Sequence, residues 1–466
     1  MSTAGPRRKW LPGGNKNLDM TEGSIGKLLI AFSVPLLLGN LFQQLYNMVD
    51  AWVVGNYVSN EAFSAVGTVG PIINTLISLY LGLSSGAGVV IAQNYGAKRE
   101  ETASRAIHTA VVMTVIIAIA MSAAGIMLRD IFLRMMNTPP EVMPQSRTYL
   151  LIFFSGIGGM MLYNIGAAAL QAIGDSRRPF YFLATSISLN IILDLVFVIV
   201  FHMGVEGVAL ATIIGMGVSA ILVMITLFRS DTCVRLSFRN MRIDFQLLRQ
   251  IFRIGLPAAL QMGIISFSNI IVQGYINYFG ADVMSGWTAY AKIDSLMLLP
   301  MQSIALATTT FVGQNIGCGN VDRARSGVKS AIRISAAITF TLSIPVMIFA
   351  PYLVAFFNSK PEVVLFGTQI LRWLSPFYVI TCSANVMNSG LRGAGNSRAP
   401  MLITIFSYVI FRQIYLFILT NFFVNEMIPV CLGYPLGWIV CTVISTIYFN
   451  RTDLSRQSVT QDLESQ

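Results

Sequence analysis

Residues 186–201 read SISLNIILDLVFVIVF, an oily run interrupted by Ser186, Ser188, Asn190 and Asp194. Ser186, Asn190 and Asp194 recur every four residues and so share one helical face. A carboxylate at the centre of a transmembrane helix costs roughly 2.5–3.5 kcal/mol on insertion scales. An acid placed there marks a polar interior behind a lipid-facing wall.

The rest of the 466-residue chain agrees: 55% is hydrophobic and only 11% charged, where soluble domains are about a quarter charged. A span needs about 20 mainly apolar residues. Twelve segments qualify: 28–54, 64–93, 106–128, 147–171, 180–201, 205–228, 251–279, 285–313, 329–350, 364–389, 399–421 and 428–449. The expected class is an all-α polytopic membrane protein. No removable signal peptide is expected at the N-terminus. The five cysteines have no CxxC spacing, which argues against a metal site or disulfide framework. The absence of a GxxxxGK[ST] loop argues against ATP as energy source. No enzymatic activity and no resident cofactor are expected.

Basic residues set the expected orientation. With the N-terminus in the cytoplasm, most of the 31 lysines and arginines fall on that side, beginning with Arg7, Arg8, Lys9, Lys16 and Lys27. The opposite side keeps Arg129, Arg134, Arg147, Lys360 and Arg372; Lys292 and Arg412 fall inside spans. Both termini are therefore expected to be cytoplasmic. The net charge of +10 then faces an anionic inner leaflet, with no nucleic acid required.

The chain is also written twice. IAQNYGAKRE (91–100) resembles FVGQNIGCGN (311–320), with Gln93, Asn94 and Gly96 matching Gln314, Asn315 and Gly317, and LQAIGDSRRP (170–179) resembles LRGAGNSRAP (391–400), both at an offset of 221. Pro35 and Pro257 sit early in the first span of each half. Six spans per half give both halves the same entry sense, a parallel repeat about an axis along the membrane normal. The expected organisation is an N-terminal tail (1–24), a six-span lobe (25–228), a linker (229–250), a second six-span lobe (251–450) and a C-terminal tail (451–466). Residues 240–255 are amphipathic and read as an interfacial helix, their last third alternatively as the start of span seven.

Of 21 acidic residues, only Asp50, Asp194 and Asp294 fall in the interior of spans, Glu206 sitting at the very start of the sixth, and each of the three is a functional candidate for that reason. Asn40, Gln43, Asn47 and Asp50 form one stripe of span one. The bland alternative for such amides is hydrogen-bond glue between helices. Two carboxylates and several amide oxygens facing one cavity would make a hard-oxygen cation site or a protonatable pair. Asp294 would be a counter-charge for substrate, Arg412 its partner or a structural residue. Met297, with Gln43 and Asn47, is a candidate for the cavity wall, since methionines suit varied apolar ligands. His108 and His202 read as ordinary interfacial residues.

Twelve spans in two halves, Pro35, Asp50, the QNYGA stretch, ALQAIGDSRRP and GLRGAGNSRAP together resemble the multidrug and toxic compound extrusion (MATE) family, from about Ser24 to Asn450. The resemblance implies a V-shaped pair of lobes, alternating access, and export of cationic amphiphiles in exchange for protons or sodium ions. It implies a cation site at Asp50, Asn190 and Asp194, with Thr212 and Tyr149 as further ligands, and a bend at Pro35. It also implies a monomer in the bacterial inner (plasma) membrane. The NorM-type acid in span seven is missing here, so the pattern is closer to the DinF and MepA-like branches. That leaves proton or Na+ coupling open and makes the N-terminal lobe the main coupling site. The rival reading is a lipid-linked oligosaccharide flippase of the same superfamily. A non-transporting receptor or channel subunit is a third reading, disfavoured by the duplication and the buried acids.

Overall fold

Local chemistry starts and stops the helices. Asp244 accepts hydrogen bonds from the backbone N–H groups of Gln246 and Leu247, and Asn320 from that of Arg323, side chains at the N-cap position satisfying otherwise orphaned donors. Glu100 and Glu101 open one helix and Arg134 closes it, each with the sign that the helix dipole favours. Gly174 and Gly395 end helices at φ +89° and +105°. The next residue donates back to Leu170 and Leu391 respectively, the C-terminal turn that a left-handed glycine permits.

The computed structural model describes residues 17–58 and 60–459; the basic residues Arg7, Arg8, Lys9 and Lys16 and the tail beyond 459 lie outside them. It has twelve helices long and apolar enough to cross a membrane. They are α1 (Ile25–Gly55), α2 (Ala65–Gly96), α3 (Glu100–Met135), α4 (Met143–Ala172), α5 (Arg177–Val200), α6 (Val205–Phe228), α7 (Phe245–Asn277), α8 (Ala281–Gly317), α9 (Val321–Ile348), α10 (Pro361–Gly393), α11 (Arg398–Phe423) and α12 (Met427–Arg451). No strand occurs among the described residues. All twelve expected spans are present, most of them extended. A short helix, Ala350–Phe357, follows α9, and α10 passes through a tight turn at Ser375–Phe377, where Pro376 cannot supply a backbone donor.

Residues 240–255 do not form a separate interfacial helix. The chain enters α7 at Phe245 and continues without a break. Leu247, Ile251 and Ile254 are buried among residues of α2, α3 and α4, so protein covers that side of the segment, while Phe245 stays exposed. His108 is likewise no surface residue. It is buried, its Nδ1 lies 2.6 Å from the Ser104 carbonyl, and its Nε2 accepts from the Ser237 N–H. It pins the linker to α3.

The two lobes exchange the starts of their first helices. The start of α7 packs in the N-terminal lobe, and Leu29 and Phe32 of α1 pack with α8, α9 and α10 of the C-terminal lobe. Glycines allow the crossing: a Cβ on Gly86 would lie 2.6 Å from the backbone N of Gly255. The duplicated Gln-Asn motifs close the same end. Gln93 donates to the Gly393 carbonyl and accepts from the Val459 N–H, at 2.8 and 2.9 Å. Gln314 donates to the Ala172 carbonyl at 2.7 Å and accepts from the Met20 N–H. Each amide thus reaches the opposite lobe, at the end of the bundle where the basic loops lie.

Candidate functional site

The polar stripe of α1 divides. Asn40 Nδ2 donates to Ser303 Oγ of α8 at 3.3 Å, which makes it contact between the lobes. Gln43, Asn47 and Asp50 instead line a cavity of about 390 Å³ inside the N-terminal lobe. Its wall brings together Asp50, Asn190, Thr212 and Tyr149. Asp194 lies one turn beyond Asn190, fully buried, and within Coulombic reach of Asp50. Tyr149 is within reach of both carboxylates. Asp50, Asn190, Thr212 and Tyr149 thus share one cavity wall with Gln43 and Asn47, and Asp194 adjoins it.

Helix packing explains how they get there. Ser186 donates to the Gly215 carbonyl at 2.6 Å, and a Cβ on Gly215 would come 3.1 Å from the Asn190 Cβ. The small residue seats the α5 stripe against α6 and carries Asn190 and Asp194 inward. Immediately after Asp194 the helix widens into a π-helical turn, Val196–Val200, a distortion that often accompanies functional sites.

The centre is short of hydrogen bonds. Asp50 Oδ1, both carboxylate oxygens of Asp194, and both Oδ1 and Nδ2 of Asn190 are buried without a protein partner. A buried polar atom left unpaired costs about 1–3 kcal/mol. Such a cluster of oxygens fits a small cation or protons, which would satisfy it. No lysine or arginine lines the cavity among the described residues.

Spacing also held a residue that the stripe reading passed over. Tyr46, one turn before Asp50, lines the cavity, and its hydroxyl lies 3.1 Å from Thr212 Oγ1. The i, i+4 relation to Asp50 was the available signal. Asn74 and Asn164, also in the wall, carry no such signal in isolation.

The C-terminal lobe is built differently. Asp294 Oδ1 accepts hydrogen bonds from Tyr378 and Tyr290, at 2.6 and 3.2 Å. Met297 is buried with Trp287, Tyr290 and Ile293 in the apolar cluster of that lobe, so it does not join the wall of the N-terminal cavity. Arg412 is not bonded to Asp294. Its guanidinium donates to Ser268 Oγ and Asn269 Oδ1 of α7, each at 2.8 Å, and lies over the Tyr434 ring. The helix pair that carries unpaired acids in one lobe carries in the other a guanidinium hydrogen-bonded through its Nη2. Pro35 lies within α1, which is helical on both sides of it.

The sequence matches the MatE family over residues 35–196 and 257–418, one match in each lobe. It is 30% identical over 397 residues to "Probable multidrug resistance protein YpnP" of Bacillus subtilis (strain 168), covering 85% of this chain and 89% of the relative. It is 28% identical to "Probable multidrug resistance protein YoeA" of the same organism, covering 92% and 94%. Among solved structures, a MOP superfamily transporter from Pyrococcus furiosus superposes with a TM-score of 0.88 at 24% identity, over 94% of this chain and 97% of that one.

Proposed function

The chain belongs to the MATE family of membrane transporters, and we propose that it is a multidrug efflux transporter exchanging cationic amphiphiles for protons or sodium ions. Supporting this are the names of the relatives and one observation above all: the unpaired carboxylate and amide oxygens of Asp50, Asn190 and Asp194 beside a roomy cavity. Gln43, Asn47 and Tyr46 form the wall that a drug would meet on its way to the acids. Thr212 and Tyr149 position the acids and share the ion. The molecule acts as a monomer in the bacterial plasma membrane, with both termini inside.

The cycle follows from electrostatics. In the state with the basic end closed, an ion from outside reaches Asp50 and Asp194. It removes the negative charge that held the cationic drug, and the drug leaves. The lobes then rock, the Gln93 and Gln314 contacts part, and the ion is released to the inside. Coupling requires only that ion and drug disfavour each other at one site. Asp294, already held by two tyrosine hydroxyls, contributes negative potential in the second lobe.

Purified protein in liposomes loaded with ethidium tests the reading, with a sodium gradient and a pH gradient imposed separately. Efflux under one gradient, lost in Asp50→Asn, supports it and identifies the ion. Full gradient-driven efflux by Asp50→Asn would refute it. A flippase for a pyrophosphate-bearing lipid would call for cationic groups in the cavity wall, and that wall carries none among the described residues.

A further inference from the structure

Lys292 lies in the interior of α8 and is exposed. Its ammonium has no hydrogen bond or ion pair among the described residues. It sits about 15 Å further along the helix than Asp282, which pairs with Lys360 at the start of α8. A lysine at such a depth is expensive unless it faces a water-filled space, and there it marks a path for solutes. Asp294 does not neutralise it. Two residues apart on a helix, the side chains leave from different faces, and Asp294 is held by Tyr290 and Tyr378.

Helical phase shows which face carries the lysine. Ser303 touches Asn40 of α1, and a Cβ on Gly317 would collide with the Gln93 carbonyl of α2. Lys292 precedes these two by 11 and 25 residues in a helix unbroken through Pro300, about three and about seven whole turns. All three therefore share the face of α8 turned to the N-terminal lobe. Toward the basic end that face is covered, and Leu29, Phe32 and Leu36 of α1 are buried there. Beyond the contact of Asn40 with Ser303 the helices part: Phe42, Leu45 and Met48 of α1 and Leu296 of α8 are exposed. Lys292 is about 16 Å beyond that contact along α8, and Asp50 about 15 Å beyond it along α1. The cation on one wall of the cleft is level with the acidic centre on the other.

The surroundings of Lys292 suit an anion on an apolar body. It lines a cavity of about 460 Å³ with Ser285, Thr288, Met284, Phe357 and Asn358. No acidic side chain is part of that lining among the described residues. Asn358 Oδ1 accepts from the Lys360 N–H, which leaves its Nδ2 to donate. A carboxylate would meet an ammonium and an amide donor here, with a ring and a thioether for its apolar part. A ligand carrying only positive charge would gain nothing from this wall. Resting on the acidic drug site proposed above, we propose that Lys292 determines specificity by holding the carboxylate of a zwitterionic amphiphile whose cationic end occupies the Asp50 cavity.

Equilibrium binding of two dyes to the purified full chain tests this by fluorescence anisotropy. One is a rhodamine with a free carboxylate, the other the ethyl ester of the same dye, which keeps the cation and loses the anion. The ratio of the two affinities, acid over ester, should fall about ten-fold in Lys292→Met, the scale of one charge-assisted hydrogen bond. It should return toward the parent value in Lys292→Arg, which keeps the charge. Because each variant is read as a ratio within one preparation, partial misfolding cannot imitate the result. An unchanged ratio in Lys292→Met, or the same fall in Lys292→Arg, would overturn the proposal. Failure of the underlying drug site reads differently: ester binding would then be indifferent to Asp50→Asn, whatever the ratio does at Lys292.

Discussion

Asp194 and Asp294 are both aspartates in the interior of a span, and their surroundings separate them. Asp194 has neither oxygen satisfied, whereas Asp294 accepts two phenolic hydrogen bonds. Substitution should therefore read differently at the two positions. Asp294→Leu leaves two buried hydroxyls without their acceptor, at a cost of about 1–3 kcal/mol each, and should lower the thermal unfolding temperature in detergent. Asp294→Asn keeps an acceptor and should unfold close to the parent. Asp194→Asn should leave stability unchanged or raise it, because it removes an unpaired buried carboxyl, while abolishing gradient-driven efflux. Asp294→Asn as damaging to stability as Asp294→Leu would show that the charge, not the acceptor, holds that lobe. The acids were legible in the sequence because lipid makes them expensive wherever they occur. Whether each is satisfied was legible only in part: Tyr290 lies one turn before Asp294, but Tyr378, the closer donor, lies far along the chain and nothing local reports their meeting.

At the scale of elements, the same distinction governs the amides. Periodicity alone placed Asn40 with Gln43 and Asn47, because all share a face of α1. A helix face can change neighbours along its length, however, and Asn40 meets α8 while Gln43 and Asn47 meet the cavity. The Gln-Asn repeats were visible as repeats, but their exchange across the lobes depends on how the halves dock. That docking yields a prediction. Gln314 holds the Ala172 carbonyl, and Ala172 is buried. A cysteine placed there by Ala172→Cys, with the exposed Cys318 replaced by serine, should resist alkylation from the basic face. Adding Gln314→Ala should open that end and raise the labelling rate several-fold, a loss of about 1–2 kcal/mol for a buried hydrogen bond. An unchanged rate would show that the glycine-packed crossing of α2 with α7 closes the end without the amides. Residues 240–255 teach the converse: the apolar positions of an amphipathic pattern need not share one cover, since α2 and α3 bury Ile251 while Phe245 stays exposed.

Across the whole molecule, length, hydropathy and the doubled motifs were enough for twelve helices in two related lobes, since each is a property of the chain itself. The inequality of the lobes was less legible. Asp175 against Asn396, and the acidic α1–α5 pair against the Arg412-bridged α7–α11 pair, are single-residue departures from a shared plan. They leave the unpaired acids and the roomy cavity in one lobe and give the other a hydrogen-bonded aromatic interior. Transport coupled through one lobe then predicts mutual exclusion between drug and ion at a single centre, a linkage measurable without any membrane gradient.

The most direct test is equilibrium binding of ethidium to purified protein by fluorescence anisotropy, titrated against protons and, separately, against sodium. The affinity should fall as the coupling ion is added, through occupancy of Asp50 and Asp194, and the fall should vanish in Asp50→Asn and Asp194→Asn. Drug affinity that stays constant across both titrations in the parent protein, or that falls equally in the two variants, would contradict a shared acidic site.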